Sequence, residues 1–257
     1  KSSVEFDKIY SQKEFDCEER KVVDDNELMA LSINVNDQLL DIIKNIRSDA
    51  SEYGRLMAYY RCAIMEVETK FNVLNVELSR GRESNPIETI KSRLKSPESI
   101  VEKLQRKNIP MDVASIEKNL FDIAGVRVIC AFQEDIYMLA DSLAKQDDVK
   151  VLEVKDYIKH PKDNGYRSLH LIVEIPIFLL NEKRFMKVEV QLRTIAMDFW
   201  ASLEHKIRYK KNLQMYDEYS EISDRLKQCA DQSAALDNMM DETHKMIIGL
   251  KKRNEEE

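Results

Sequence analysis

Hydrophobic spacing along the chain predicts helices at both ends and a β-sheet between them. Between residue 26 and about residue 78, apolar side chains recur at intervals of three and four, which is typical of amphipathic helices. A break is expected near Ser48–Gly54, and residues 79–86 are expected to form a loop. The helical spacing returns from residue 217 to about residue 250. The pattern therefore predicts two helices before the sheet and one long helix after it.

The middle of the chain alternates between helix and strand patterns. A short helix is predicted to begin with Ser96 as N-cap and Pro97 in the first helical position, and to end near Asn108. Four strands follow at residues 126–132, 149–157, 168–175 and 184–193, with helices at 135–145 and 195–211. The predicted fold class is α+β, with a mixed β-sheet flanked by N- and C-terminal helices.

These elements divide the chain into four predicted parts. They are a loosely ordered segment at 1–25, a helical extension at 26–80, a sheet domain at 81–211 and a C-terminal helix at 212–257. Apolar residues on the last helix form a seam at three- and four-residue spacing. That seam suits packing in an oligomer, and packing against the chain's own sheet is equally consistent with it.

The segment Lys162-Asp-Asn-Gly-Tyr-Arg-Ser-Leu-His170 leads directly into a strand pattern. Side chains alternate across a strand, so Ser168 and His170 share the face opposite the apolar one. The preceding loop brings Tyr166 and Arg167 to the edge of this polar face. A ring, cations and hydrogen-bonding groups in one place suit a planar, anionic ligand such as a nucleotide.

Two acidic side chains are candidates for a cation site. Asp122 lies just before the first predicted strand, and Glu189 alternates with apolar residues on the last one. Paired carboxylates suit Mg²⁺, with substrate phosphates completing its coordination. The alternative for Glu189 is a polar stripe that simply faces solvent, and the alternative for Asp122 is a turn or cap residue.

A basic segment at residues 91–107 contains six cations and two acidic residues. On the predicted helix, Ser99, Lys103 and Arg106 share one face, and the free N–H groups at the helix N-terminus favour an anion. A solvated basic face is the alternative interpretation.

Composition narrows the class of protein. A net charge of −7 argues against general nucleic-acid coating, and no apolar run approaches the roughly 20 residues that span a bilayer. The four cysteines are widely spaced without a C-x-x-C pair, which favours free thiols in a reducing compartment. A cytoplasmic location is expected.

Five segments together resemble the synthetase domain of the RelA/SpoT superfamily, in particular its small alarmone synthetases. They are Arg93-Leu-Lys-Ser-Pro-Glu-Ser-Ile-Val-Glu-Lys103, Asp122-Ile-Ala-Gly-Val-Arg127, Gly165-Tyr-Arg-Ser-Leu-His170, Val188-Glu-Val-Gln-Leu-Arg-Thr194 and Phe199-Trp-Ala-Ser-Leu-Glu-His205. The resemblance implies a nucleotidyltransferase-like core at 81–211 that transfers the pyrophosphate of ATP to the ribose 3′-hydroxyl of GDP or GTP. AMP is released, and the product, (p)ppGpp, is the signal of the stringent response.

The resemblance also implies roles for individual residues. The implied catalytic and Mg²⁺-binding residues are Asp122 and Glu189. Arg93 and Arg127 would sandwich adenine, while the ATP phosphates would be held by Lys95, Ser99, Lys103 and Arg106. Tyr166 would stack on guanine, and the rest of the acceptor site would comprise Lys162, Arg167, Ser168, His170, Gln191, Arg193, Asp198 and Glu204. Asp198 departs from the Asn or His that many relatives carry at its position.

The resemblance also implies partners and leaves two alternative functions open. It implies a homotetramer, keeps single-stranded RNA as a candidate regulator, and predicts no hydrolase domain because no His-Asp dipeptide occurs. One rival is a nucleotidyltransferase of related fold that releases inorganic pyrophosphate. The other is an inactive nucleotide- or RNA-binding regulator.

Overall fold

The computed structural model describes residues 50–80, 85–208 and 218–255. In chain order, its elements are α1 (Ala50–Leu78), β1 (Ile87–Leu94), α2 (Pro97–Arg106), α3 (Val113–Asn119), β2 (Ala124–Cys130), α4 (Gln133–Ala144), β3 (Lys150–Asp156), β4 (Leu169–Phe178), β5 (Lys183–Thr194), α5 (Ile195–Arg208) and α6 (Tyr219–Glu255). The five strands form one mixed sheet in the order β1-β2-β5-β4-β3. Among the strands of the described residues, β2 and β5, near the centre of the sheet, pair in parallel, and the other neighbours are antiparallel. The predicted α+β fold class is confirmed.

One face of the sheet is apolar and packs against helices. On β5, Met186, Val188, Val190 and Leu192 are all buried, as the alternation predicts. The long helix α1 contributes fully buried side chains to the same core, including Tyr60, Val67 and Phe71. Each such side chain stabilises the fold by roughly 1.5–3 kcal/mol through its removal from water. This burial fixes which face of the sheet remains available for a site.

The opposite face carries a row of polar side chains that crosses all five strands. Directly paired residues on neighbouring strands point to the same side of a sheet. The strand register places in one row Lys91, Arg127, Gln191, His170 and Lys155. In the next row, Arg93, Gly125 and Glu189 are neighbours in the same way. Residues from separate parts of the chain therefore meet on one surface, which is called the polar face below.

The C-terminal helix α6 packs against its own domain. Trp200 Nε1 on α5 donates to the Leu226 carbonyl at 2.9 Å, and Ser233 Oγ donates to the Ala196 carbonyl at 3.1 Å. Thr194 at the end of β5 donates to Asp237 at 2.8 Å. Large apolar side chains on α6 nevertheless stay exposed, among them Leu236, Met239, Met240 and Met246. The helix α6 therefore packs against its own domain, and its exposed apolar side chains are also compatible with packing in an oligomer.

The structure corrects the prediction at three places. β1 and α3 were not expected, and the predicted break is wrong at Gly54, which lies inside α1. The predicted N-cap Ser96 is confirmed by its bond from Ser99 N at 3.3 Å. The first predicted helix and the end of the one expected at 195–211 lie outside the described residues.

Two further findings concern membrane spans and cysteines. In the part of the chain that the structure describes, no helix is long and apolar enough to cross a membrane. The three cysteines there, Cys62, Cys130 and Cys229, are all unpaired thiols.

Candidate active site

Asp122 lies between two lysines at the start of the polar face. It precedes β2, and its Oδ2 contacts Lys95 Nζ at 2.8 Å and Lys103 Nζ of α2 at 2.5 Å. Burial opposes ionisation of Asp122, but the hydrogen bonds and charges of Lys103 and Lys95 outweigh it and lower its pKa. The carboxylate is therefore anionic at neutral pH.

Glu189 is held on β5 by two neighbours on the polar face. His170 Nδ1 lies 3.3 Å from its Oε1, and Gln191 Nε2 donates to its Oε2 at 2.9 Å. Burial favours the neutral acid, yet His170 and Gln191 together lower the pKa of Glu189, and nearby Asp122 offsets only part of this effect. Two anionic carboxylates thus share the same part of the polar face.

Tyr166 connects the loop before β4 to this network. Its hydroxyl lies 2.8 Å from His170 Nε2 and accepts a bond from Arg193 Nη2 at 2.5 Å. Lys162 Nζ lies 4.9 Å from the centre of the ring. Because His170 uses Nδ1 towards Glu189, its Nε2 is the acceptor for the Tyr166 hydroxyl in the neutral ring. A continuous chain of contacts therefore runs from Tyr166 through His170 to Glu189.

The loop that presents Tyr166 is fixed by a glycine against α6. Gly165 has φ = +87°, a conformation that favours glycine, and its N–H donates to the Lys162 carbonyl at 2.8 Å. A Cβ on Gly165 would lie 2.5 Å from Ala230 Cβ. The position of Tyr166 thus depends on close contact between this loop and α6.

Three buried polar atoms on the polar face have no hydrogen-bond partner among the described residues. They are Asp122 Oδ1, Arg127 Nε and Arg193 Nε. Such atoms are uncommon in native proteins, because an unmade hydrogen bond to a buried group is costly. One unpaired acceptor and two unpaired donors indicate that this surface is completed by a ligand that offers both hydrogen-bond donors and acceptors.

Comparison with known proteins agrees with the geometry. Residues 92–214 match the family model described as a region found in RelA / SpoT proteins. The GTP pyrophosphokinase YwaC of Bacillus subtilis (strain 168) is 42% identical over 224 residues, which cover 87% of this chain and 99% of that protein. The chain belongs to the RelA/SpoT family.

Solved structures of the family share the fold. The small alarmone synthetase 2 of Bacillus subtilis is 44% identical, with a TM-score of 0.66 over 79% of this chain and 99% of that one. The small alarmone synthetase 1 of the same organism, bound to its product pppGpp, is 33% identical, with a TM-score of 0.68 over 77% of this chain and 98% of that one.

Most of the residues expected from the RelA/SpoT resemblance meet on or beside the polar face. Those with contacts there are Lys95, Lys103, Asp122, Arg127, Lys162, Tyr166, His170, Glu189, Gln191, Arg193 and Asp198. Arg93 is exposed on β1, with its stem 3.7 Å from the Cβ position of Gly125. Ser99 and exposed Arg106 lie on α2, and Glu204 of α5 accepts a bond from Asn164 at 3.3 Å.

Two residues of the predicted acceptor site are occupied by bonds to the backbone or to α6. The guanidinium of Arg167 donates to the carbonyls of Gly165 and Ala230 and pairs with Asp231 on α6 at 3.3 Å. Ser168 is fully buried and donates to the Leu192 carbonyl at 3.1 Å. Both side chains hold the loop and β4 in place. The Arg167 guanidinium points towards α6, and the Ser168 hydroxyl is closed off from solvent.

Sequence reasoning missed two residues of the site. Lys91 pairs with Asp198 at 3.2 Å, and the ring of Tyr157 makes edge contacts with Tyr166 and His170. Lys91 would have been found if β1 had been recognised, since it lies two residues before Arg93 on the same face of that strand.

Proposed function

We propose that this chain is a GTP pyrophosphokinase that transfers the pyrophosphate of ATP to the ribose 3′-hydroxyl of GDP or GTP and releases AMP. The observation that carries this proposal is the pair of anionic carboxylates, Asp122 and Glu189, on a face rich in cations with unpartnered polar atoms. The names of the Bacillus relatives, and pppGpp bound to one of them, support the same reaction. The proposed catalytic domain spans residues 81–211.

The lysines around Asp122 form the proposed ATP side. Lys95 and Lys103 lie within 3 Å of the same carboxylate oxygen and can turn towards phosphate oxygens. Ser99 and Arg106 lie on α2, the helix that carries Lys103. Arg93 and Arg127, on adjacent strands, lie on either side of the place proposed for adenine. Because phosphoryl transfer depends on positioning and charge neutralisation, these cations are the main contribution of the chain to this half of the site.

The carboxylates of Asp122 and Glu189 are suitable ligands for Mg²⁺. Asp122 Oδ1 is buried and has no partner among the described residues, and both carboxylates have lowered pKa values. In the described ranges no group of three or more His, Cys, Asp or Glu could hold a metal ion, which suits a cation held by one or two carboxylates and substrate phosphates. Bound by Asp122 and Glu189, Mg²⁺ would neutralise negative charge on the ATP phosphates.

The acceptor nucleotide is proposed to lie between Tyr166 and Glu189. Tyr166 offers its ring to guanine, while Lys162, Gln191, Arg193, Asp198 and Glu204 surround the nucleotide. The 3′-oxygen forms a bond to the β-phosphorus of ATP as the bond from that phosphorus to the oxygen of AMP breaks. Glu189 takes the hydroxyl proton, and His170 keeps the Glu189 carboxylate oriented.

The test is to identify the products from ATP and each of GDP, GTP and GMP with Mg²⁺ present. Chromatography is expected to show AMP together with a 3′-pyrophosphorylated guanine nucleotide. Inorganic pyrophosphate without AMP would support the related nucleotidyltransferase. Binding of both nucleotides without any AMP would support an inactive regulator.

The proposed assembly is a cytoplasmic homo-oligomer, most simply a tetramer. The exposed apolar side chains of α6, including Leu236, Met239 and Met240, support a helix interface between copies. Light scattering on the purified chain measures its mass, and a monomer at micromolar concentration would contradict the proposal. Single-stranded RNA is retained as a candidate regulator, which a filter-binding assay tests.

Gly165→Ala is expected to raise the KM for GDP about tenfold, with the KM for ATP little changed. The new methyl group would meet Ala230 on α6, which is bonded to β5 and α5, and φ = +87° is strained for alanine. A displacement of about 1 Å at Tyr166 weakens its contact with the acceptor, and lost binding contacts raise KM. Initial rates over a matrix of both nucleotides separate the two KM values.

The matched control for this variant is Gly54→Ala. Gly54 lies in α1, and no atom of the described residues lies within 4 Å of its Cβ position apart from its own helix backbone and chain neighbours, so alanine there should leave the kinetics unchanged and slightly raise the melting temperature. In a Gly165→Ala/Ala230→Gly double variant, part of the lost GDP affinity should return because the methyl clash is removed. No recovery would mean that backbone strain alone causes the defect.

A further inference from the structure

Asp198 is the meeting point of three cations on the polar face. The residue belongs to the first turn of α5 and is only 8% exposed. Its Oδ2 contacts Lys91 Nζ of β1 at 3.2 Å. Its Oδ1 contacts both Arg127 Nη1 of β2 and Arg193 Nη1 of β5, again at 3.2 Å. One carboxylate therefore connects three strands of the sheet.

The two guanidinium groups compete for the same oxygen. Hydrogen bonds between charged groups are usually about 2.7–2.9 Å long, and both contacts to Oδ1, at 3.2 Å, are longer than this. Burial and the neighbouring Arg193 cation lower the pKa of Arg127, while Asp198 acts in the opposite direction. Arg127 and Arg193 thus repel one another and are kept together by one shared anion.

The two arginines belong to different halves of the proposed site. Arg127 adjoins the place proposed for adenine, whereas Arg193 donates to the Tyr166 hydroxyl and lies 5.0 Å from the centre of that ring. On the basis of the proposed function, we propose that Asp198 is a positioning residue that couples ATP binding to acceptor binding through this shared oxygen.

The sign of the coupling follows from the shared contact. ATP draws the Arg127 guanidinium towards itself, which weakens the bond from Arg127 to Oδ1. Arg193 then approaches Asp198 more closely, and the Tyr166 hydroxyl to which Arg193 donates is held in place before the acceptor arrives. ATP therefore strengthens binding of the acceptor. By thermodynamic linkage, the factor is the same in both directions.

The experiment measures affinities without turnover. Titration calorimetry follows binding of GDP with and without saturating α,β-methylene ATP, whose bridging carbon prevents transfer, and then the reverse titration, all with Mg²⁺. In the wild type, each nucleotide is expected to tighten the other about fivefold. In Asp198→Asn, which keeps the shape but removes the charge, this factor is expected to fall to about one. An unchanged factor in this variant overturns the inference.

Asp198→Asn leaves the buried cation Arg193 without its anion, which can destabilise the fold. A second variant therefore makes the test independent of folding. Arg127→Gln leaves Asp198 paired with Lys91 and Arg193, so the fold should persist, with melting temperature as the check. GDP affinity in this variant should no longer respond to saturating ATP analogue. A retained response overturns the inference.

The matched control is Asp141→Asn, an exposed carboxylate on α4 that pairs with Lys145. Its coupling factor should equal that of the wild type, and a loss there would show that the effect is not specific to Asp198. The outcomes also separate the two proposals. Failure of the wild type to bind ATP analogue and GDP overturns the proposed function, whereas binding and AMP release with unchanged coupling in Asp198→Asn overturn only this inference.

Discussion

Glu189→Gln is expected to lower the rate of AMP release by about three orders of magnitude while binding of GDP and of α,β-methylene ATP largely survives. The amide has nearly the same shape as the carboxylate but accepts neither the 3′-hydroxyl proton nor a cation well. Lysines and arginines elsewhere on the polar face still hold the nucleotides. Single-turnover rates and calorimetric affinities measure the two effects separately.

The matched control for Glu189→Gln is Glu174→Gln. Glu174 lies on the same face of neighbouring β4, but it pairs in register with Lys187, beyond the site. Its turnover should match that of the wild type. If Glu189→Gln kept more than about a tenth of wild-type turnover, Glu189 would be excluded as the proton acceptor. Equal losses of binding and turnover would instead indicate a purely structural role.

The central strands and their faces could be predicted from the sequence. On β4 and β5, every second side chain lies in the core, and burial on one face leaves little freedom for register. Alternation therefore predicts a polar side for His170 on β4 and for Glu189 on β5, and these two side chains lie in contact. Periodicity is informative wherever one face of a strand is fully buried.

The elements that the sequence did not reveal have weak periodicity. β1 is an edge strand with few buried residues, and an irregularity between Ile87 and Thr89 interrupts its alternation. Its apolar positions, Ile87, Ile90 and Leu94, recur at helical spacing, so they do not predict a strand. α3 has seven residues, too few for apolar residues to repeat recognisably at helical spacing. Its N-terminus is nevertheless capped by Asp112, which accepts a bond from Ser115 N at 2.7 Å.

Contacts of the loop with α6 could not be read from local patterns. Arg167 was expected beside the nucleotide because its neighbours Tyr166 and His170 are there. Its position in a strand-like segment points it the other way, towards Asp231, which is 64 residues later in the chain. Pairing over such a distance depends on the tertiary fold, and so does the meeting of Lys91, Arg127 and Arg193 at Asp198.

Asp122→Asn is expected to reduce turnover by two to three orders of magnitude and to change how ATP binding depends on Mg²⁺. The variant loses a proposed metal ligand, so the half-saturating Mg²⁺ concentration should rise at least about tenfold. Without the metal, however, the ATP analogue should bind as tightly as to wild type or more tightly. Lys95 and Lys103 are then released from Asp122, and a carboxylate that repels phosphate is gone.

Affinity for the analogue, measured with Mg²⁺ or with a chelator, tests this expectation, and Asp141→Asn is the exposed control. A structural role for Asp122 would weaken binding under both conditions, whereas a metal-binding role weakens the response to Mg²⁺ alone. Equal responses to Mg²⁺ in the variant and the wild type would exclude Asp122 as a ligand.

The pH dependence of stability provides an independent measurement on the same pair of proteins. The pKa of Asp122 in the folded chain lies below its ordinary value of 3.8, so its ionised form stabilises the fold above that value and the contribution is lost as pH falls through the folded pKa. The melting temperature of the wild type should therefore fall relative to Asp122→Asn on acidification below about pH 4, with a constant difference above about pH 6. Parallel profiles throughout would mean that Lys95 and Lys103 do not hold Asp122 in its anionic form.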